Sequence, residues 1–598
     1  MEAGTARLAS EFSTGSKTIA DLFPIAADRY ADRVLVRAKR GDEWVDTTFA
    51  EAGEIVSEIG RGLLDLGLEL GDRVALLANT RPEWTYCDFG ITTAGGTVVP
   101  IYPTNSPQEC EWVAGNSESR FLICEDAGQL AKIRSVRAGL PRLEQVIVID
   151  PSGDTSDAMA LEELRERGRS RSADELAARS AQVTAELPFT FIYTSGTTGP
   201  PKGCVLTHGN YRSILNQCEE ADVFVPDEVA YLFLPLAHAF GLLIQLLSVD
   251  LGSTVAYYGG DPKQVIPEIM QVRPHYLPSV PRIFEKLYTL AQQQLSSEEI
   301  ETIRTVGGRI RELETHGEAV PEDLRRQFEP VAPKAQFVAG LFGGRLRQAV
   351  TGAAPIAPEI LEFFWGCGVP VLEGYGMTET STAATFSTVT HHRWGSVGRA
   401  LPGCEIKTAE DGEILIKGPN IFRGYYKMED ASFGAVVDGW LHTGDLGRVD
   451  EDGYVYITGR KKDIIITAGG KNITPANLEN GLKQSRWISQ AIMHGDRRPY
   501  PVALITLDAE EVVPWAQQQG IEDASIPALA RDERVRALIQ AELDRVNADY
   551  ASVEQIKKFV ILDHDLSQET GELTPTLKVK RNVVQEKYAG LFDELYVD

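Results

Sequence analysis

The sequence predicts an α/β protein: a large N-terminal domain of two stacked α/β subdomains carrying a small β-rich subdomain, followed by a smaller α+β C-terminal domain. Three observations lead there. Short β-branched runs alternate with helix-length segments over the first half of the chain, Asp-Gly turns crowd the stretch after about residue 395, and a mixed segment of about 135 residues follows residue 463. A chain of 598 residues exceeds one ordinary domain and has ample material for more than one core.

The first series runs Arg73-Val-Ala-Leu-Leu77, the helical Pro82 to Thr93, Thr97-Val-Val-Pro-Ile-Tyr102, the helical Pro107 to Ser117, and Phe121-Leu-Ile-Cys124. That is a βαβ rhythm, which requires parallel strands covered by helices. A second series holds Val229-Ala-Tyr-Leu-Phe233, an apolar helix near 240, Thr254-Val-Ala-Tyr-Tyr258 and a helix over Asp261 to Gln271. Residues 287 to 347 are rich in Gln, Glu and Arg and poor in β-formers, which predicts a helical insertion, read as a solvated excursion. From 395 to 458 the pairs Asp411-Gly412, Asp438-Gly439 and Asp452-Gly453 mark hairpins between short strands such as Glu413 to Lys417. The boundary between the large domain (1 to 461) and the small one (462 to 598) is placed in the basic run Lys461-Lys462-Asp463.

Composition narrows the function. With 86 acidic against 59 basic residues and a net charge of -27, broad nucleic-acid binding is excluded, and an anionic ligand must be held by local geometry. Seven scattered cysteines with no Cys-x-x-Cys pair indicate neither a disulfide framework nor a zinc site and fit a reducing cytoplasm. Residues 1 to 16 lack the pattern of a secretory signal, and Gln245 and Asp250 interrupt the most apolar window before it reaches the roughly 18 residues of a membrane span. Peripheral contact at the inner face of a membrane stays open, but no strongly basic amphipathic stretch declares it.

The stretch with the most chemical content is Tyr193-Thr-Ser-Gly-Thr-Thr-Gly-Pro-Pro-Lys-Gly203, which follows the apolar Phe189 to Ile192. Gly196, Gly199 and Gly203 permit close backbone approach to an anion, Thr194, Ser195, Thr197 and Thr198 add hydroxyl donors, and Lys202 adds a mobile cation. The spacing Gly-x-x-Gly-x-x-Lys-Gly is not that of a Walker A loop, which needs four residues between Gly and Gly-Lys.

This run resembles the phosphate-binding signature of the adenylate-forming superfamily, which includes acyl-CoA synthetases, aryl-CoA ligases, luciferases and peptide-synthetase adenylation domains. Further stretches resemble the same family in the same order. Pro235-Leu-Ala-His238 resembles the motif beside the acyl carboxylate, with His238 as the acyl-binding residue. Thr351-Gly-Ala-Ala-Pro355 resembles the turn that lies against adenine, through Gly352, Ala353 and Ala354. Glu373-Gly-Tyr-Gly-Met-Thr-Glu-Thr380 places Glu373, Gly374, Tyr375 and Gly376 at the nucleotide; there the resemblance implies that Tyr375 stacks on adenine, Thr378 touches the α-phosphate, and Glu379 with Thr194 holds Mg2+. Trp440 to Asp445 implies that Asp445 accepts from the ribose hydroxyls.

In Gly459-Arg-Lys-Lys-Asp463 the resemblance gives Arg460 a nucleotide contact and makes Lys462 the hinge of a mobile C-terminal domain. Ile464 to Pro475 resembles the segment that forms the CoA tunnel, with Gly469 and Gly470 leaving room for a thiol. Leu573-Thr-Pro-Thr-Leu-Lys-Val-Lys-Arg581 resembles the motif of the adenylation lysine; alignment on Thr574 gives Lys578, and Leu577, where many relatives have glycine, leaves Lys580 as a competitor.

The implied activity is ligation of a fatty acid to CoA with ATP, through an acyl-adenylate and release of pyrophosphate, with Lys578, Lys202, Thr378 and Glu379 as the catalytic set. The resemblance is nearest to bacterial long-chain fatty acid-CoA ligases, on the insertion before Thr351, the Gly-Gly-Lys-Asn-Ile-Thr-Pro form of the tunnel segment and the Leu573 to Arg581 ending. No obligate protein partner is implied. The competing readings are a fatty acyl-AMP ligase serving a carrier protein, a ligase of medium-chain or aryl acids, and a non-catalytic scaffold. The first is disfavoured because 66 residues separate Glu379 from Asp445, leaving little room for the extra segment such ligases carry; the last is disfavoured because the charged groups Lys202, Glu379, Asp445, Arg460 and Lys578 are all present.

Overall fold

The computed structural model describes residues 13–194, 200–574 and 578–597. Two large sheets dominate. The first has eight strands; its run of parallel neighbours is Pro188–Thr194, Thr97–Ile101, Arg73–Leu77, Phe121–Cys124, Gln145–Val148 and Met159–Ala160, and Lys202–Thr207 and Gly424–Tyr425 extend it antiparallel at one edge. The second has nine strands, in which Val371–Tyr375, Gln348–Thr351, Tyr276–Ser279, Val229–Leu232, Thr254–Tyr257 and Val34–Arg40 are consecutive parallel neighbours. The βαβ rhythm of the sequence thus becomes two parallel sheets.

The sheets stack because their strands are apolar on both faces. In Arg73–Leu77, Val74 and Leu76 enter a core shared by both sheets, while Ala75 and Leu77 enter a separate outer core. The second sheet repeats the division: Ala230, Leu232, Val255 and Tyr276 face the shared core, and Tyr231, Ala256 and Leu277 face another. Side chains alternate along a strand, so each sheet needs helices on both faces, giving alternating layers of helix and sheet.

The middle layer contains the helix Ala239–Asp250, buried at every position except Phe240. Gln245 and Asp250, which break its apolar run, are satisfied inside the protein. Gln245 donates to Asp88 Oδ2 at 2.7 Å and accepts from Thr85 at 2.6 Å, and Asp250 pairs with Arg212. Among the described residues no helix is long and apolar enough to cross a membrane. The helix read over Asp261 to Gln271 begins as a 3-10 turn at Pro262–Gln264 and becomes α-helical at Val265–Val272, with Asp261 capping the turn.

Helices fill most of 287 to 347. They pack closely on Pro358–Gly366: a Cβ on Gly366 would lie 2.1 Å from the carbonyl oxygen of Ile303, so only glycine fits where the chain widens into a π turn at Ile303–Gly307. The Asp-Gly turns close hairpins of a five-stranded sheet built from Glu405–Thr408, Glu413–Lys417, Val436–Val437, Trp440–Val449 and Val455–Arg460. Beyond it, Ile488–His494, Val502–Leu507 and Lys558–Ile561 form a three-stranded sheet whose two apolar clusters draw only on residues from 465 onward.

Candidate active site

In open parallel sheets ligands gather outside the carboxyl ends of the strands. Here Thr194, Ser279, Thr351 and Tyr375 end their strands, and three of them line one cavity of about 1940 Å3 between the large domain and the C-terminal sheet. That exceeds the roughly 300–1,000 Å3 of a site for one small ligand. The expected residues Thr194, Lys202, His238, Gly352, Ala353, Ala354, Glu373, Gly374, Tyr375, Gly376, Thr378, Glu379, Asp445, Arg460, Lys462 and Lys578 all line it. Ser195, Gly196, Thr197 and Thr198 lie outside the described residues. Gly469 and Gly470 stand apart: they are exposed in the turn between Ile465–Ile466 and Asn472–Ile473 and do not border the cavity.

One wall is made by two small-residue turns. Ala353 adopts φ +68°, a conformation that disfavours a side chain, and a Cβ on Gly376 would meet the carbonyl oxygen of Thr382 at 2.2 Å. Burial raises the Glu373 carboxyl to about 8, so it is protonated at neutral pH and can donate a hydrogen bond. At the edge of this wall the Tyr375 hydroxyl donates to Asp445 Oδ2 at 2.7 Å, while Arg460 Nε contacts Asp445 Oδ1 at 2.8 Å. Asp445 is brought there by register: it pairs with Arg460 across adjacent strands.

A second wall carries the charges suited to a polyphosphate. Thr194 and Lys202 are cross-strand partners at the two ends of the glycine-rich loop. Next to them the Tyr425 hydroxyl donates to Glu379 Oε1 at 2.7 Å, and Lys202 Nζ lies 4.9 Å from the centre of the Tyr425 ring. The thiol of Cys204 is pushed up by burial and then by the Glu379 carboxylate, so it stays protonated.

Lys578 enters from the C-terminal domain. Thr574 N donates to Lys578 O at 2.8 Å, and Lys578 N donates to Thr574 Oγ1 at 3.0 Å. Water in the open cavity reaches Lys578, but protein surrounds it on the wider scale, so burial and then Arg460 lower its pKa while Asp445 opposes them. The same lysine, after burial, lowers His238, to about 4. His238 is therefore neutral at pH 7; Phe240 N donates to its Nδ1 at 3.2 Å, which leaves the proton on Nε2. Lys580 also borders the cavity, with Nζ 3.8 Å from Glu109 Oε1.

The cavity continues as an apolar limb along one face of the helix Ala239–Asp250. From His238 the lining passes Leu243, Ile244 and Leu247 to Cys218, Val223 and Tyr276. Nine residues of helix from His238 to Leu247 correspond to about 13 Å.

Sequence reasoning missed Tyr425 and Asn420. Asn420 donates to Thr380 O at 3.0 Å and Ala383 O at 2.8 Å and so holds the loop that follows Glu379. A Gly-Tyr-Tyr triplet and an isolated asparagine carry no recognisable signal, because their partners lie about 40 residues away in sequence.

Comparison with known proteins agrees with this geometry. Residues 23–426 match the model of the AMP-binding enzyme family and residues 462–598 that of the AMP-binding enzyme C-terminal domain. The long-chain-fatty-acid--CoA ligase FadD15 of Mycobacterium tuberculosis is 38% identical over 563 residues, covering 92% of each chain. The long-chain-fatty-acid--CoA ligase ACSBG1 of Rattus norvegicus is 32% identical over 627 residues, covering 97% of this chain and 85% of the relative. In fold the chain is similar to the adenylation domain of a carboxylate reductase from Mycobacterium chelonae (TM-score 0.77, 21% identity, 97% and 91% coverage) and to the anthranilate CoA ligase AuaEII solved with anthranoyl-AMP (TM-score 0.73, 21% identity, 97% and 98% coverage). A wall of small-residue turns beside Tyr375 and Asp445, a wall carrying Lys202 and Glu379, and a match that runs through both domains lead to one conclusion: the chain belongs to the AMP-binding, adenylate-forming enzyme family.

Proposed function

We propose that this protein is an ATP-dependent long-chain fatty acid-CoA ligase that forms acyl-AMP and then acyl-CoA in one cavity. The observation that carries this reading is the convergence of Lys202, His238, Glu379, Asp445 and Lys578 where the polar wall meets the apolar limb. Identity of 32–38% to long-chain-fatty-acid--CoA ligases over most of the chain supports it.

In the first half-reaction a carboxylate oxygen of the acid attacks the α-phosphorus of ATP, and the bond to the bridging oxygen breaks. Lys202 offsets charge on the departing pyrophosphate and Lys578 offsets charge on the α-phosphate and the attacking carboxylate. Arrival of these anions opposes the burial that lowers the pKa of Lys578 and favours its charged form. His238 donates a hydrogen bond from its Nε2–H to the acyl carboxylate. Asp445 accepts from the ribose hydroxyls while Tyr375 and Arg460 keep it aimed, and the Tyr375 ring lies against adenine.

Glu379 and Thr194 offer a buried carboxylate and a hydroxyl, both hard oxygen donors, and this set suits Mg2+ completed by phosphate and water oxygens. Bound there, the ion would supply positive charge opposite the leaving pyrophosphate.

In the second half-reaction the thiolate of CoA attacks the acyl carbonyl carbon and AMP leaves. Lys578 must withdraw first, and rotation of residues 462–598 about Lys462 brings Gly469 and Gly470 to the opening. The apolar limb takes the alkyl chain, which fits a fatty acid better than an aryl acid. Seven unpaired cysteines, six of them buried, accord with a reducing compartment, and we place the enzyme in the cytoplasm.

The test is an activity profile with ATP and CoA across acids from acetate to long-chain and aryl carboxylates. The reading predicts a maximum among long-chain fatty acids; a maximum at acetate or at an aryl acid contradicts it.

A further inference from the structure

Tyr425 sits between the two charged groups of the phosphate wall, and neither of them has an ion-pair partner among the described residues. Its ring is the neighbour of Lys202 Nζ, at 4.9 Å from the centroid, and its hydroxyl is the hydrogen-bond donor to Glu379 Oε1, at 2.7 Å. Tyr425 is itself fixed from three sides. Its strand pairs with Cys204, its backbone N–H donates to Ser432 Oγ at 2.8 Å, and its ring meets Phe422 edge-on at 4.9 Å.

The same short segment also holds the backbone of the Glu379 turn. Phe422 N donates to Glu379 O at 2.8 Å, Ser381 Oγ donates to Asn420 O at 2.8 Å, and Asn420 returns two bonds to Thr380 O and Ala383 O. The turn needs this support, since Ser381 and Thr382 carry φ of +50° and +107°. Residues 420 to 425 therefore clasp the turn by its backbone, and Tyr425 alone in that clasp reaches the Glu379 side chain.

We propose that Tyr425 is a positioning residue that aligns Glu379 for its cation and Lys202 for the leaving phosphates, so that one side chain couples the two. This rests on the reading of Glu379 as a metal-binding carboxylate. A carboxylate with one oxygen fixed by a hydroxyl presents the other in a set direction, and loss of such supporting bonds to metal-binding side chains typically weakens metal affinity about 10–100-fold. The ring face supplies a negative quadrupole for Lys202 without neutralising it, which keeps the amine available to phosphate.

The experiment compares the intact chain with Tyr425→Phe, Tyr425→Leu and Glu379→Gln. Mn2+ binding is followed by electron paramagnetic resonance with α,β-methylene-ATP present, nucleotide affinity is measured without metal, and melting is recorded. Tyr425→Phe should weaken Mn2+ about tenfold while metal-free nucleotide affinity and melting stay as in the parent. Tyr425→Leu should in addition weaken metal-free nucleotide binding about threefold, through Lys202. If Tyr425→Phe binds Mn2+ as the parent does while Glu379→Gln is weakened, the positioning role is overturned and the ligand reading stands. If Glu379→Gln also binds as the parent does, the ligand reading fails and the proposal falls with it. A Tyr425→Phe chain that loses melting temperature and metal-free nucleotide affinity along with Mn2+ makes Tyr425 structural, which again overturns the proposal.

Discussion

Tyr375 and Asp445, 70 residues apart in sequence, are joined by a 2.7 Å hydrogen bond from the phenol to one carboxylate oxygen, with Arg460 on the other. The acid on which the ribose is expected to land is thus aimed and paired before any nucleotide arrives. Because a hydrogen bond to a charged group contributes about 1.5–3 kcal/mol, Tyr375→Phe should raise the KM for ATP by about tenfold while leaving the ring in place. Asp445→Ala should raise it further, by removing the ribose acceptor and leaving Arg460 without its partner. Steady-state kinetics at saturating fatty acid checks both, and an unchanged KM in either contradicts the assignment.

Lys578 is the lysine that stands near His238, Arg460 and Asp445, whereas Lys580 leans toward Glu109. Lys578→Ala should abolish exchange of labelled pyrophosphate into ATP yet leave thiolysis of supplied acyl-adenylate largely intact. Lys580→Ala should retain most of the exchange. The reverse pattern would move the adenylation role to Lys580.

The C-terminal domain is fastened in this orientation by charges on one helix face. Arg282 and Lys286, one turn apart on Pro281–Gln292, pair with Asp508 and with Glu510, the latter at 2.7 Å. Asp508 is also the N-cap of Ala509–Gln518, accepting from Glu510 N at 3.1 Å. These pairs are partly exposed and individually weak, so replacing both Arg282 and Lys286 by Ala should lower the ratio of adenylation to thiolation rates only about two- to fivefold. Stopped-flow measurement of the two half-reactions checks this, and raised salt should shrink the difference. A ratio equal to the parent at low salt would show that the pairs do not bias the orientation.

Much of this was legible in the sequence because it is local. Strand runs and Asp-Gly turns act within a few residues of themselves, and each became the element expected, whereas residues 195 to 199 of the glycine-rich loop lie outside the described residues. Residue type in an ordered motif also carried the cavity lining, from Thr194 to Lys578. What was illegible is pairing at a distance. Nothing near Tyr425 announces Glu379, nothing near Arg282 announces Asp508, and the close approach of Gly366 to Ile303 depends on how two helices meet. The antiparallel edge Glu43–Thr48 was equally silent, since its half-exposed residues lack the apolar runs that mark the buried strands.

A buried carboxyl away from the site gives a stability prediction. Burial raises Asp88 to about 7, opposed by the hydrogen bond from Gln245. Between the unfolded value near ~4 and this folded value the native chain holds the extra proton, so stability falls as pH rises through that window. Asp88→Asn keeps an acceptor for Gln245 and removes the titration. Its melting temperature should exceed that of the parent at about pH 8 and converge with it near about pH 5. Equal melting at both pH values would mean that Asp88 titrates as an ordinary carboxyl.

The account turns on attack by a carboxylate oxygen at the α-phosphorus, and isotope transfer reads that bond directly. A long-chain fatty acid labelled with 18O in its carboxyl group, incubated with ATP and CoA, should deliver one labelled oxygen to AMP, with pyrophosphate and inorganic phosphate unlabelled. Unlabelled AMP, or 18O appearing in inorganic phosphate with ADP as the nucleotide product, would contradict it.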